Sequence, residues 1–522
     1  MAHNHPPGPL EIGGGLLGRN AALNLLGQVI PLLVGLVAIP YTIRGLGTVK
    51  FGVYVVAITV LYYSNLFDLG LTRATNKFVA GYLGRGEAHE LSAFLSVALS
   101  SETVAGLGGL ALAASLVPIL TGRVVKIPSA EIAEAAKAFW ILFLAVPLML
   151  LAGIFRSVLE AAQRFELINC VSIPAAILNL LIPLIGLWAG FGLAGIMVLL
   201  VVAALAVMLV YRALCYRVFP NLRLKVSFDR KTVRRLLGFG LWVSVSNVLS
   251  PLLDYMDRFL VGVFISVSDV TYYAAPRFVV RKLFVFPESL LATLYPAFST
   301  LDAGGASRRL QEVYARSLKS ILLVVGSAVA LIVVFAPQIL AVWLGGDFPA
   351  KSSAVLRIAA VGALVNGLAF VPYNALHALG RPDLTARFHL FELPCYLAGL
   401  WALAGRMGIT GVALAWALRA AFDALLVFAA SYILRPDSLR GYAEAGFHKG
   451  VVGITVFAAL LGLISLVSAR LGPQLVLAGM LSALFALALW RWILDDTDRA
   501  FLTLMTARVT SSLARKREME SL

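Results

Sequence analysis

The sequence predicts an all-α, polytopic membrane protein of about fourteen transmembrane helices, arranged as two parallel pseudo-symmetric six-helix halves plus two C-terminal helices. Three observations predict it. The 522 residues are 60% hydrophobic and only 13% charged, with a mean hydropathy of +0.90, whereas a soluble globular domain carries about a quarter charged residues. The apolar residues come in runs of about 18–25, the length that crosses a bilayer as a helix. The chain also resembles itself at an offset near 217–220 residues.

The start, MAHNHPPGPLEIGGG (1–15), lacks the basic stretch and short apolar core of a cleavable signal peptide, and reads as a disordered tail. Apolar runs between charged or Gly/Pro breaks then place spans near 18–40, 51–72, 91–119, 138–159, 170–189, 193–214, 237–264, 271–297, 317–343, 354–378, 388–404, 409–433, 450–468 and 472–493. Self-comparison groups them. IPAAILNLLIPLIGLWAGFGLAGIMVLLVVAALAVMLVY (173–211) resembles LPCYLAGLWALAGRMGITGVALAWALRAAFDALLVFAASY (393–432), each with a leading proline and a Gly-x-x-Gly turn. VLEAAQRFEL (158–167) matches ALHALGRPDL (375–384), Pro31 matches Pro251, and Asp68 matches Glu288. The domains are therefore a tail (1–15), six-helix halves at 16–225 and 226–445, two additional helices at 446–494 and a basic tail at 495–522. An even number of helices per half makes the repeats parallel, and such pairs enclose a central path.

The net charge of +16 could point to nucleic acid, but its placement excludes that reading. Arginines and lysines recur at alternate connections: Arg73, Lys77 and Arg85 after span two, eight cations between Arg212 and Arg235 after span six, then Arg308, Arg309 and Arg316, then Arg435, Arg440 and Lys449. The opposite connections are cation-poor, apart from Arg123 and Lys126. The positive-inside pattern puts both termini in the cytoplasm. Cys170, Cys215 and Cys395 all lie in or beside apolar runs and read as small buried thiols rather than a disulfide framework.

Polar residues inside the spans mark the candidate site. Span one carries Asn20, Asn24, Gln28 and Pro31 on one helical face, and span seven repeats the plan with Ser244, Asn247, Pro251, Asp254 and Arg258. Within VLSPLLDYMDRFLVGVF (248–264) sit Asp254, Asp257 and Arg258, with Arg277, Arg281, Lys282 and Glu288 on span eight. Charges inside a membrane are costly and face a bundle interior or an aqueous cavity; ion pairs between spans seven and eight are expected. The alternative is a polar interhelical seam without substrate. Arg73 reads as a positive-inside anchor rather than a ligand. Other patterns carry little: GYLGRG (81–86) follows no strand, His3 and His5 lie in the tail, and DDTD (495–498) reads as a solvated interface patch. No cluster has zinc spacing and no Walker-type loop is present.

The run NLLGQVIPLLVGLVAIPYTIRGLGTVKFGVYVVAITVLYYSNLFDLGL (24–71), PLLDYMDRFLVG (251–262) and the repeated loops at 158–167 and 375–384 resemble the polysaccharide and lipid-linked oligosaccharide flippases of the multidrug/oligosaccharidyl-lipid/polysaccharide exporter superfamily. The resemblance covers about 16–445. It implies a bacterial cytoplasmic-membrane transporter rather than an enzyme, working by alternating access on a polyprenyl-diphosphate-linked glycan whose lipid stays among the membrane lipids. It also implies glycosyltransferases and a glycan polymerase of the same pathway as partners, and no cofactor beyond Na+ or H+ as coupling ion. Arginine offers forked donors to phosphate, so Arg258, Arg277, Arg281 and Lys282 become head-group candidates, joined by Arg19 near the cytoplasmic mouth and Asn24. Asp68, Asp254, Asp257 and Glu288 become candidates for ion coupling. Two rival functions are a drug/cation antiporter of the same superfamily, which predicts an acid-dominated cavity, and a membrane glycosyltransferase or polymerase, which would need a sizeable extracytoplasmic loop.

Overall fold

The computed structural model describes residues 14–87, 90–291, 298, 307–434, 446–467, 471–496 and 498–499; the side chains of 14–29, 239–252, 254, 307 and 471 lie outside that description. Every regular element among the described residues is a helix. Helix α1 (Gly14–Tyr63) holds the first two expected spans and bends at Gly47, whose φ of 76° is open to glycine without steric cost. A 3-10 turn (Ser64–Asp68) leads to α2 (Leu71–Gly84). The sequence reading left 73–85 as a connection. It is an amphipathic helix, with Leu71, Ala74 and Val79 buried, and its apolar face is too narrow to register as a membrane run.

The first half continues with α3 (Leu91–Ile119), α4 (Ile132–Phe143), α5 (Ala145–Ala161), α6 (Phe165–Trp188) and α7 (Leu193–Val218). The second half comprises α8 (Arg230–Phe264), α9 (Val267–Lys282), α10 (Ser307–Trp343), α11 (Phe348–Ala378) and α12 (Pro382–Leu434). Two further helices follow, α13 (Phe447–Val467) and α14 (Leu471–Ala488). Among the described residues, ten helical stretches are long and apolar enough to cross a membrane. Two of these, 30–68 and 382–434, each hold a pair of expected spans; the second breaks at Gly408, φ 59°. Helix α8 holds expected span seven; expected span eight is interrupted, α9 ending at Lys282 and helix resuming at 285 after a turn at 283–284.

Large apolar side chains face outward along the bundle, among them Leu33, Val202, Leu466 and a Trp188 that is 92% exposed. Water would penalise that surface and lipid does not. Between helices, close approach replaces hydrophobic drive: a Cβ at Gly106 would meet Pro147 at 2.9 Å. The repeat is visible in its turns. Gln163 and Gly380 both have positive φ, at 58° and 73°. Arg164 N donates to Leu159 O at 2.9 Å and Arg381 N to Leu376 O at 2.9 Å. Arg164 pairs with Glu166 as Arg381 pairs with Asp383.

The link between halves is a strap. Residues 223–227 run extended along α3, where the backbone N–H groups of Arg223, Lys225 and Ser227 donate to the hydroxyls of Ser92, Ser96 and Ser100 at 3.0–3.1 Å. Two strand residues advance about 6.7 Å and four helical residues about 6.0 Å, so alternate amides meet every fourth serine. Asp229 then caps α8; the Thr232 hydroxyl and backbone N–H hold its carboxyl below the usual carboxylate range.

DDTD is more than a solvated patch. Asp495 and Asp498 take Arg316 at 2.8 and 2.6 Å, and Asp498 takes the buried Lys319 at 2.6 Å, tying the chain beyond α14 to α10. The sequence could not show this, because the partners lie some 180 residues apart. The three cysteines are free thiols, but only Cys215 is buried; Cys170 and Cys395, expected to be buried, are exposed on the outside of their helices.

Candidate functional site

Helices from both halves enclose a cavity of about 1260 Å³. Of the residues singled out from sequence, Arg258, Arg277, Arg281, Lys282 and Glu288 line it. The side chains of Arg19, Asn24 and Asp254 lie outside the described residues. Asp68 and Asp257 do not line the cavity. Asp68 is buried and accepts from Thr72 N at 3.0 Å and Thr72 Oγ1 at 2.6 Å, fixing the start of α2. Asp257 is wholly buried, holds the Tyr273 hydroxyl at 2.6 Å and lies 3.4 Å from Arg277. The expected ion pair between spans seven and eight is thus Asp257–Arg277.

That pair has a built seat. Gly362 leaves room for Trp416, whose ring a Cβ there would meet at 2.7 Å. The Arg277 guanidinium lies 3.8 Å from the centre of that ring, so a carboxylate and an aromatic face hold it from two directions. Arg258 stacks near Tyr255, which stacks in turn on Tyr62 of α1, and the buried Arg258 Nε has no hydrogen-bond partner. Arg281 and Glu288 pair at 3.8 Å, both substantially exposed. Lys282 lies over Phe278. Arg73, read from sequence as an anchor, also lines the cavity.

Sequence reasoning missed the charges of α12. Arg419 and Asp423 line the cavity with His389, and Glu392 lies fully buried behind them. Ligand atoms of His389, Glu392 and Asp423 lie within 4.8 Å of one another, and Arg419 reaches Glu392 at 3.5 Å. The signal was available: ionisable residues within an apolar run, the same test that marked spans seven and eight.

At the end of the bundle away from the cation-rich connections, the halves touch. Lys126 N donates to Gly262 O at 2.9 Å, Val267 N to Lys126 O at 3.2 Å, and Lys126 Nζ to Phe264 O at 2.6 Å. Thr271 Oγ1 donates to Thr48 O at 2.7 Å. A Cβ at Gly52 would fall inside the van der Waals radius of Val267 O, so only glycine permits this approach.

A bundle of apolar, membrane-length helices in two like halves, around a chamber that carries several ionic side chains, defines a polytopic transporter. The chain belongs to the polysaccharide biosynthesis protein family, whose model matches residues 17–302. It is 30% identical over 425 residues to a putative O-antigen transporter of Shigella flexneri, covering 78% of this chain and 96% of that one. It is 25% identical over 237 residues to the probable low-salt glycan biosynthesis flippase Agl15 of Haloferax volcanii, covering 45% and 48%. Among solved structures it resembles the lipid II flippase MurJ in an inward closed conformation, with TM-score 0.69, 14% identity and coverage of 91% and 100%. It also resembles an inward-facing MATE multidrug transporter, with TM-score 0.66, 14% identity and coverage of 80% and 99%.

Proposed function

We infer that this protein is a flippase that carries a polyprenyl-diphosphate-linked oligosaccharide across the bacterial cytoplasmic membrane by alternating access. The observation that carries this reading is the cavity itself. It is membrane-embedded, larger than a drug-sized pocket of about 300–1,000 Å³, and lined by Arg258, Arg277, Arg281, Lys282 and Arg73. Guanidinium groups match the oxygens of a diphosphate, and a lipid tail would remain in the bilayer. The names of the relatives support translocation rather than catalysis. The excess of cations over acids in the lining disfavours a drug/cation antiporter.

With both termini in the cytoplasm, as the distribution of cations argues, the contacts at Lys126 and Gly52 close the outer side and loading is from the inner leaflet. Glycosyltransferases would supply the substrate and a polymerase would take it up outside. Coupling to Na+ or H+ belongs to the same proposal, and among the candidate acids whose side chains are described, Glu288 faces the cavity and pairs with Arg281 there. The test is transport of a polyprenyl-diphosphate-linked oligosaccharide into glycosidase-accessible or lectin-accessible form in proteoliposomes. Replacing Arg281 and Lys282 together with alanine should lower the rate at least about tenfold, the loss of one charge-assisted contact. Undiminished transport by the double variant overturns the head-group assignment.

A further inference from the structure

We propose that the cavity wall formed by α11 and the first and last thirds of α12 is a saccharide subsite, which recognises the hydroxyl groups and one face of a sugar ring. The proposal rests on the flippase reading and assigns a part of the chamber to a part of its cargo.

Two independent observations carry it. The first is hydrogen-bonding demand left unmet. Of thirteen buried side-chain N and O atoms without a hydrogen-bond partner among the described residues, six lie on α12: His389 Nδ1, both Glu392 oxygens, Tyr396 Oη, Arg419 Nε and Asp423 Oδ1. Asp423 is 8% exposed, the Arg419 side chain likewise, and both line the cavity with His389. Glu392 and Tyr396 sit behind the wall, whereas His389, Arg419 and Asp423 belong to it. Buried polar atoms in native proteins are nearly always satisfied, so three unpartnered atoms on the wall itself point to a ligand. The second is an aromatic platform beside it. The rings of Tyr373 and His377 stack at 4.4 Å between centres, with His389 6.2 Å from Tyr373, and all three line the cavity. The His377 Nε2 and Thr385 Oγ1 lie 2.9 Å apart, which fixes that ring.

The unmet set decides the ligand class. A bare cation would satisfy the carboxylates of Glu392 and Asp423, whose atoms are close enough to share one. It would accept nothing from Arg419 Nε, and the Arg419 guanidinium 3.5 Å from Glu392 would repel it. A hydroxyl both donates and accepts. Sugar hydroxyls can thus donate a hydrogen bond to Asp423 Oδ1 and accept one from Arg419 Nε, while the C–H face of the ring lies on the outer face of Tyr373 in the stacked pair. The arginines and lysine of α8 and α9 stay with the diphosphate.

The experiment compares two probes on the full chain in nanodiscs: polyprenyl diphosphate bearing one N-acetylhexosamine, and polyprenyl diphosphate without sugar. Asp423→Ala should weaken the glycosylated probe about tenfold, the size expected when a hydrogen bond to a charged group is lost, and Tyr373→Leu should weaken it through loss of the aromatic face. The bare probe should bind each variant as it binds wild type. Tyr373→Phe, which keeps the ring, should bind both probes normally and shows that the site tolerates substitution. If either variant weakens both probes equally, or neither, the subsite is overturned. If Asp423→Ala instead removes only a dependence of binding on sodium over choline, the cluster is a cation site and the proposal falls. Wild-type protein that binds neither probe overturns the flippase reading itself, a failure distinct from loss of discrimination between the two.

Discussion

The two halves share a backbone plan and differ in what they show to the cavity. Their matched turns at 158–167 and 375–384 have the same hydrogen bonds, the same left-handed residue position and an equivalent surface ion pair. Their cavity walls are unlike. Among the described lining residues the first half offers one ionic side chain, Arg73, amid Pro31, Thr42, Tyr54 and Asn179. The second offers Arg258, Arg277, Arg281, Lys282, Glu288, Arg419 and Asp423. Turns are held by local geometry, which a repeat preserves. Cavity chemistry depends on single side chains that can change without moving a helix. The ionic lining of the cavity thus comes chiefly from the second half, and the first supplies the opposing, mostly uncharged wall.

The sharpest way to break this comparison is to remove a charge that the second half has buried. Asp257→Ala leaves Arg277 without its carboxylate and the Tyr273 hydroxyl without its acceptor. It should destabilise the protein by about 3–5 kcal/mol, as when one partner of a buried pair is lost. Asn179→Ala in the first half should melt close to wild type. Thermal unfolding in detergent checks both, and equal melting of the two variants would erase the asymmetry.

The next effect concerns the place where the halves meet. Gly52→Leu cannot form the outer contact with Val267, so the closed state should lose population. In a cysteine-free background, Tyr54→Cys should then react faster with a membrane-impermeant thiol reagent added from the side opposite the cation-rich connections. No gain in labelling would show that the seal does not depend on this approach. The smallest effect tests the strap. Ser96→Ala removes the acceptor for Lys225 N and should cost about 1 kcal/mol. Hydrogen exchange should quicken at the Lys225 amide while that at Arg223, on Ser92, changes little; unaltered exchange at Lys225 would mean that another group holds the strap.

Much of this molecule was legible before any coordinates. Composition and run length give the helical membrane class because a spanning backbone must satisfy its own hydrogen bonds, and runs of about twenty apolar residues fit a helix rather than the shorter strands of a closed barrel. The offset pairs find the repeat, and the charged runs of spans seven and eight find five residues of the cavity wall. The amphipathic helix α2 escaped because a narrow apolar face does not look like a membrane run. The α12 charges escaped because they were not weighed by the test applied to α8 and α9.

What the sequence by itself determined, then, is the class, the repeat and a list of costly intramembrane charges, since each follows from how residue type and period respond to lipid. Only the tertiary structure decided which of those charges face the chamber and which face one another. Asp257 and Arg281 look alike in the sequence, each an ion in an apolar run. Side chains of the next helix separate them: Tyr273 and Arg277 enclose the first, while the second keeps half its surface open to the cavity. The packing of helices sets those distances, and no local pattern in the chain encodes them.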